Sequence, residues 1–282
     1  MNVNLIIDST TDLNPQLREQ FTVVPLTVHF GDREYIDGVT ISHRQFYEKL
    51  VESDVLPSTS QATPAAFADV FEEVARRGET AVVLTLASQL SGTYQSAMIA
   101  ASDYPGRIFV VDGTSVAIGT GILAELALRL REQGLTAEEI AGRLEEEKER
   151  IHVVALLDTL EYLKRGGRIS ATVAFAGGLL SIKPVIAVKD GVIQMLGKAR
   201  GSRQGNNLLV QQIEKAGGVD FDKPVLLGFS GLSDALLTKY IEDSRDLWEN
   251  GTESLVTTSI GSVVGTHAGP GAIAVAFFEA DK

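Results

Sequence analysis

The sequence predicts two α/β domains, the first with a mainly parallel sheet and the second with a mixed sheet. Three observations carry this expectation. Residues 1–150 hold four strand-length apolar runs, each followed by a helical segment, which is the order of a parallel α/β sheet. Beyond residue 150, Lys183–Val188 and Val192–Leu196 flank Lys189-Asp190-Gly191, the signature of an antiparallel hairpin. No long linker separates the halves, which favours a fixed cleft between domains 1–150 and 151–282 over two tethered modules.

The first strand, Val3–Ile7, runs directly into Asp8-Ser9-Thr10-Thr11-Asp12-Leu13. Polar residues at the C-terminal end of an early strand stand where open α/β sheets bind ligands. Asp8 and Ser9 equally suit the capping of a helix starting near Pro15. A carboxylate would repel an anion, so Ser9 and Thr10 are preferred to Asp8 as ligand contacts. Phe21–Phe30 reads as a second strand region that turns at Gly31-Asp32 into Glu34–Asp37, with Gly38 closing the hairpin. Ser42–Ser53 is an amphipathic helix with Phe46, Tyr47 and Leu50 facing inward. Between Pro57 and Pro64, the hydroxyls of Ser58, Thr59, Ser60 and Thr63 either present a pre-ordered set of donors or form turns that end in a Thr63 cap for helix Ala65–Arg76.

Thr80–Leu86 is an apolar, β-branched run suited to a strand covered on both faces. It breaks into Ala87-Ser88-Gln89-Leu90-Ser91-Gly92-Thr93-Tyr94-Gln95 and resumes as the helix Ser96–Ser102. Free N–H groups and hydroxyls can converge there on an anionic group. Ser91 and Thr93 are the direct donors in that reading, Gly92 admits close approach and Ser88 ties the loop down; in the other reading Ser91 is only an N-cap. Arg107–Val111 gives the next strand, Ile122–Gln133 a helix that Gly134 ends, and Thr136 to Glu139 a capping box for a helix reaching about Arg150.

In the second half, Val153–Leu157 is followed by a short helix and the basic turn Lys164-Arg165-Gly166-Gly167-Arg168. Val225–Phe229 and Glu253–Ser259 add strands, and Arg203–Ala216 and Ser233–Glu249 add helices. Ser259–Ala272 is dense in glycine, at 261, 265, 269 and 271, and carries Thr266-His267 in what reads as a loop before the final strand Ala272–Phe278. His267 is open to three roles: general base, hydrogen-bond donor to a carboxylate, or a packed histidine bonded to backbone.

Composition narrows the function classes. The net charge of −12 argues against a nucleic-acid surface, yet Arg150–Arg203 holds nine basic and three acidic residues, so one basic face is expected on an acidic molecule. Such a face suits a phosphorylated ligand or an acidic partner. The absence of cysteine excludes thiol nucleophiles, disulfides and thiolate metal sites. No histidine cluster points to a metal, and neither a Gly-x-Ser-x-Gly elbow, a P-loop nor a dinucleotide fingerprint is present. With no signal peptide and no apolar run of about 18 residues, a cytoplasmic protein without stable membrane insertion is expected.

The motifs in order are Asp8-Ser9-Thr10 with Asp12-Leu13, Thr59-Ser60-Gln61, Leu90–Ala97, Leu160–Ile169, Ile182-Lys183-Pro184, Lys198-Ala199-Arg200-Gly201 and Gly265–Gly271. In this order, across essentially the whole chain, they resemble the DegV family of bacterial fatty-acid-binding proteins, some of which present an acyl chain to a fatty acid kinase. The resemblance implies two domains enclosing a lipid tunnel, a bound long-chain fatty acid, no cofactor and no catalysis. It implies that Thr59 and Ser91 hold the carboxylate with His267 in their network, and that Ser9, Ser60, Ser88, Gly92, Thr93 and Thr266 lie around them. It also implies that Arg168 and Arg200 lie on the basic face near the opening, and from that basic face Lys164, Arg165, Arg168, Arg200 and Arg203 are expected to dock an acidic partner such as the kinase or to help position a phosphate donor. Two positions depart from the family pattern: Ala62 where proline often follows, and Ala87 where a serine pair is frequent. Two further readings stand beside this one: an acyl-ester or phosphoacyl enzyme with Ser91 as nucleophile and His267 as acid/base, and a regulatory protein whose lipid occupancy alters an interface.

Overall fold

The computed structural model describes residues 2–169, 182–248 and 255–280. Strands β1 (Val3–Asp8), β2 (Thr22–Val24), β6 (Thr80–Thr85) and β7 (Ile108–Asp112) form a parallel sheet in the order β2-β1-β6-β7. The expected strand region Phe21–Phe30 is two strands. After Pro25 the chain leaves the parallel sheet, and β3 (Thr27–Phe30) joins a small antiparallel sheet with β4 (Arg33–Ile36) and β5 (Ser58–Ser60). The hydroxyl loop between the prolines is therefore partly an edge strand, with Thr59 opposite Val28.

Local chemistry sets the helices of the first half. In α1 (His43–Glu52) and α5 (Ala137–Glu147), Ser42 with Gln45 and Thr136 with Glu139 form reciprocal capping boxes. Thr63 caps α2 (Pro64–Arg76), whose proline stands in the first turn. α3 spans Thr93–Ala101, so it starts three residues earlier than expected, and its N-cap is Gly92 rather than Ser91. Asp8 and Ser9 cap no helix: Asn14 accepts from Gln16 N at the head of the 3-10 helix Pro15–Gln20. α4 (Ile118–Glu132) also starts early, and Gly134, at φ +87°, follows its end.

The chain passes through a 3-10 turn, Lys148–Arg150, into β8 (Ile151–Leu156) and α6 (Glu161–Arg165). β9 (Ile182–Lys189) and β10 (Val192–Arg200) make the expected hairpin, with Asp190 and Gly191 both at positive φ. There follow α7 (Ser202–Lys215), β11 (Leu226–Phe229), α8 (Ala235–Asp243), α9 (Arg245–Trp248), β12 (Thr257–Ser259), α10 (Ser262–Ala268) and β13 (Ile273–Phe278). Ser233–Glu249 is thus two helices, and Glu249 and Glu253-Ser254 of the expected elements lie outside the described residues. The second sheet runs β10-β9-β8-β13-β11-β12, parallel only between β11 and β12.

α4 lies between the two large sheets. Its Ile118, Ile122 and Leu123 share one core with Leu5 and Ile7 of the first sheet and with Val153, Ala276 and Phe278 of the second. On the far face of the second sheet, Val154, Leu156, Val275 and Phe277 pack on Leu209 and Ile213 of α7. The first sheet is built before residue 150 and the second after it, and we propose residue 150 as the domain boundary. Among the described residues, no helix is long and apolar enough to cross a membrane.

Candidate functional site

The face of the second sheet turned towards the first domain does not close against it everywhere. Ala155 of β8, Ala274 of β13 and Gly228 of β11 present little or no side chain, and a cavity of about 360 Å³ remains. That volume lies within the usual range for small-molecule sites. Its walls are apolar, with Leu157, Leu163, Ile186, Val188, Ile260 and Val263 among them. Polar side chains gather on it from β5, the loop after β6, the turn after α6, and α10: Thr59, Ser60, Gln61, Ser91, Arg168 and His267.

His267 is in the last turn of α10, not in a loop as expected. Glycine is a poor helix former, but here it permits contact: a Cβ on Gly265 would lie 2.5 Å from the Tyr47 hydroxyl and 2.8 Å from Phe46. Both rings are fully buried, so α10 can pack on α1 only with a bare backbone at 265. The next glycine works the same way, because a Cβ on Gly269 would stand 2.3 Å from the Tyr162 ring of α6. Thus the Gly265–Gly271 and Leu160–Ile169 motifs, about a hundred positions apart in sequence, mesh through missing side chains.

This mesh places the imidazole. His267 Nε2 is 3.0 Å from Thr59 Oγ1, and Nδ1 faces Gly166, where a Cβ would be 2.1 Å away. Nδ1 is buried with no hydrogen-bond partner among the described residues. An orphaned N–H is costlier to bury than a bare lone pair, which favours the proton on Nε2. His267 then donates to Thr59 Oγ1, and the threonine O–H is free to donate into the cavity. Burial, assisted by the nearby Arg168 charge, pulls the His267 pKa down from 6.5 to about 4, so the ring is neutral at neutral pH.

Ser91 Oγ pairs with Thr93 Oγ1 at 2.9 Å and accepts from Thr93 N at 3.3 Å. Gln61 holds this loop from the side, donating to Ser96 Oγ at 3.0 Å across Gly92, where a Cβ would meet the Gln61 amide. Arg168 donates from Nε to the Leu90 carbonyl at 3.2 Å and from Nη1 to the Gly166 carbonyl at 2.6 Å. It therefore ties the Ser91 loop to the turn that seats His267 and leaves a fixed positive charge on the cavity wall.

Of the other expected residues, Ser60 and Gly92 line the cavity and Thr93 touches Ser91. Thr10 lines it too, but its hydroxyl donates to Asp8 Oδ1 at 2.6 Å. Like Thr93, three more do not line it. Ser9 Oγ accepts from Leu26 N, Ser88 N donates to Asp112, and Thr266 Oγ1 donates back to the Ser262 carbonyl. Lys164, Arg165, Arg200 and Arg203 are likewise absent from the lining. Of the two family departures, Ala62 and Ala87 are both buried, and neither lines the cavity. Sequence reasoning missed Gln61 as the brace of the Ser91 loop and the whole apolar lining.

Comparison with known proteins gives one consistent result. A family model described as an uncharacterised protein of the DegV family matches residues 2–280. A DegV domain-containing protein of Caldanaerobacter subterraneus is 33% identical over 287 residues, covering 98% of each chain. Among solved structures, a DegV family protein from Thermus thermophilus, described for its fatty-acid binding, is similar at a TM-score of 0.88 with 31% identity, over 99% of this chain and 100% of that one. A stearic acid-binding protein from Eubacterium ventriosum is similar at a TM-score of 0.88 with 28% identity, over 98% of both chains.

Proposed function

Since the chain belongs to the DegV family, we propose that it is a non-catalytic carrier that binds a long-chain fatty acid in the cavity between its sheets. The observation that carries this is the polarity of the cavity. Apolar walls end at hydroxyl and imidazole groups from separate elements, the arrangement needed to bury an alkyl tail while hydrogen-bonding its carboxylate. Each buried methylene contributes about 0.8 kcal/mol. Thr59 and Ser91 donate to the carboxylate, His267 orients Thr59, and Arg168 supplies the compensating charge. The reading as an acyl enzyme is less well supported, because Ser91 pairs with Thr93 and His267 with Thr59, whereas a serine nucleophile needs its base within hydrogen-bond reach.

Native mass spectrometry of freshly purified protein tests this directly. A non-covalent mass in the fatty-acid range is expected, with no covalent adduct after incubation with acyl donors. Ser91→Ala is expected to keep the fold and weaken binding about tenfold, one hydrogen bond to a charged group. An acyl group trapped on Ser91 would overturn the carrier reading.

The finer part of the proposal is presentation of the carboxylate to a fatty acid kinase through the basic face. Lys164 and Arg165 lie on α6, Arg168 follows in its turn, Arg200 ends β10 and Arg203 lies in the first turn of α7. Arg200→Glu with Arg203→Glu is expected to lower turnover by an added fatty acid kinase several-fold and to flatten its salt dependence, while leaving lipid affinity and melting temperature near wild type. Arg168→Glu differs, since it also removes two backbone ties and is expected to lower the melting temperature. Unchanged kinase turnover in the double variant would remove this face from the mechanism.

A further inference from the structure

A second cavity, of about 250 Å³, adjoins the first, and the two linings have only Val153 and Val188 in common. These valines are cross-strand partners in the β8–β9 ladder, so one residue pair borders both cavities. They lie away from Leu157 along the sheet. Leu157 and Leu163 line the end beside the turn that seats the imidazole, and Val153 is four residues back along β8 from Leu157, about 13 Å in an extended strand.

The spaces on the two sides differ in chemistry. The first is oily at this end, with Val116, Ala117 and Ile118 beside the valines. The second is mixed, with Ser115, Lys148, Gln194 and Gln212 set among Ile151, Val154 and Leu196. Ser115 is 4% exposed, and its hydroxyl has no hydrogen-bond partner among the described residues. Val153 is also held in place. A Cβ on Gly119 of α4 would fall 2.5 Å from Val153 Cγ2, so the side chain is seated against bare backbone on one side and faces its partner Val188 on the strand beside it.

We propose that Val153 and Val188 are the end wall that sets the length of acyl chain the protein accepts, an inference that rests on the fatty-acid reading above. A tail that stops short of the pair is buried in hydrocarbon. One that is longer must fold back, displace a pinned valine, or enter a space whose partly polar lining returns less of the usual gain from burial. Every methylene that finds apolar room favours the longer acid about fourfold, so removing part of the wall reads out as a shift in preference.

The test is competition. Delipidated wild type, Val153→Ala, Val188→Ala and Val188→Leu are each equilibrated with an equimolar series of saturated acids from lauric to behenic, and the retained acids are quantified by mass spectrometry. The alanine variants are expected to move the peak of the retained series outward by about one to two carbons, with the first excluded acid enriched about fourfold or more. The leucine variant is expected to move it inward, and its melting temperature verifies that it is folded. Retention profiles that match wild type in all folded variants would overturn the wall. Wild type that retains no acid would instead overturn the fatty-acid reading itself, and the wall with it.

Discussion

Gly166→Ala is expected to lower fatty-acid affinity about a hundredfold, the equivalent of about 3 kcal/mol, while both sheets stay folded. Gly166 has ordinary helical geometry, φ −71°, so alanine is conformationally acceptable and intrinsically the better helix former. What it lacks is room. The new methyl would lie 2.1 Å from His267 Nδ1 and 2.7 Å from Cε1. The ring has little freedom to retreat, because α10 is fixed against Phe46 and Tyr47 at Gly265 and against Tyr162 at Gly269. It must swing, and the contact with Thr59 is then lost together with the orientation of the threonine hydroxyl.

Overpacking of this kind costs about 1–3 kcal/mol of stability, so the melting temperature should fall modestly while affinity falls steeply. Gly142→Ala in α5, where nothing lies within 4 Å of the added carbon, is the control: it should leave affinity unchanged and, as a helix-interior glycine replaced by a better helix former, raise the melting temperature slightly. Calorimetric titration of a long-chain acid into both variants decides the matter. An affinity for Gly166→Ala within twofold of wild type would show that the position of the imidazole is immaterial to binding.

The same glycines explain what could be read from the sequence. Period-two apolar runs, capping residues and the Asp190-Gly191 turn are local signals, and the strands and most helices follow from them. The Gly265–Gly271 motif was legible as important but not as a helix, because its glycines are unfavourable locally and justified only by Tyr47, Phe46 and Tyr162 from distant segments. Thr59 was similarly ambiguous. Whether its loop is a turn or an edge strand depends on β3, which lies thirty residues upstream and had itself to leave the parallel sheet. The cavity lining was hidden for another reason. Along β8, Val153 and Ala155 face the first domain while Val154 and Leu156 face α7, and both sets are apolar and buried. Alternation separates the two faces but cannot say which one meets a cavity.

A neutral His267 has a measurable cost in acid. Its pKa is depressed from 6.5 in the unfolded chain to about 4 in the fold, so the unfolded state binds the proton more tightly across that window. The stability contributed by the neutral ring is complete above pH 6.5 and is lost as pH falls through about 4, by up to about 3 kcal/mol. Asp8 acts in the opposite sense. Burial raises its pKa from 3.8 to about 6, so its contribution is complete below 3.8 and is lost as pH rises through about 6. The two trends overlap, and His267→Gln separates them, because glutamine keeps an N–H donor for Thr59 but does not titrate. Denaturant melts are expected to show wild type losing stability relative to His267→Gln between pH 6.5 and 4, with the two parallel above pH 7. Fatty-acid affinity of the wild type is expected to be flat from about pH 6 to 8, a range bracketing the ordinary histidine value, and largely retained in His267→Gln. A loss of wild-type affinity on raising the pH, absent in the variant, would mean that the bound carboxylate holds His267 protonated. His267 would then bind as a cation, and the neutral Nε2–H donor assigned to it would be wrong for the complex.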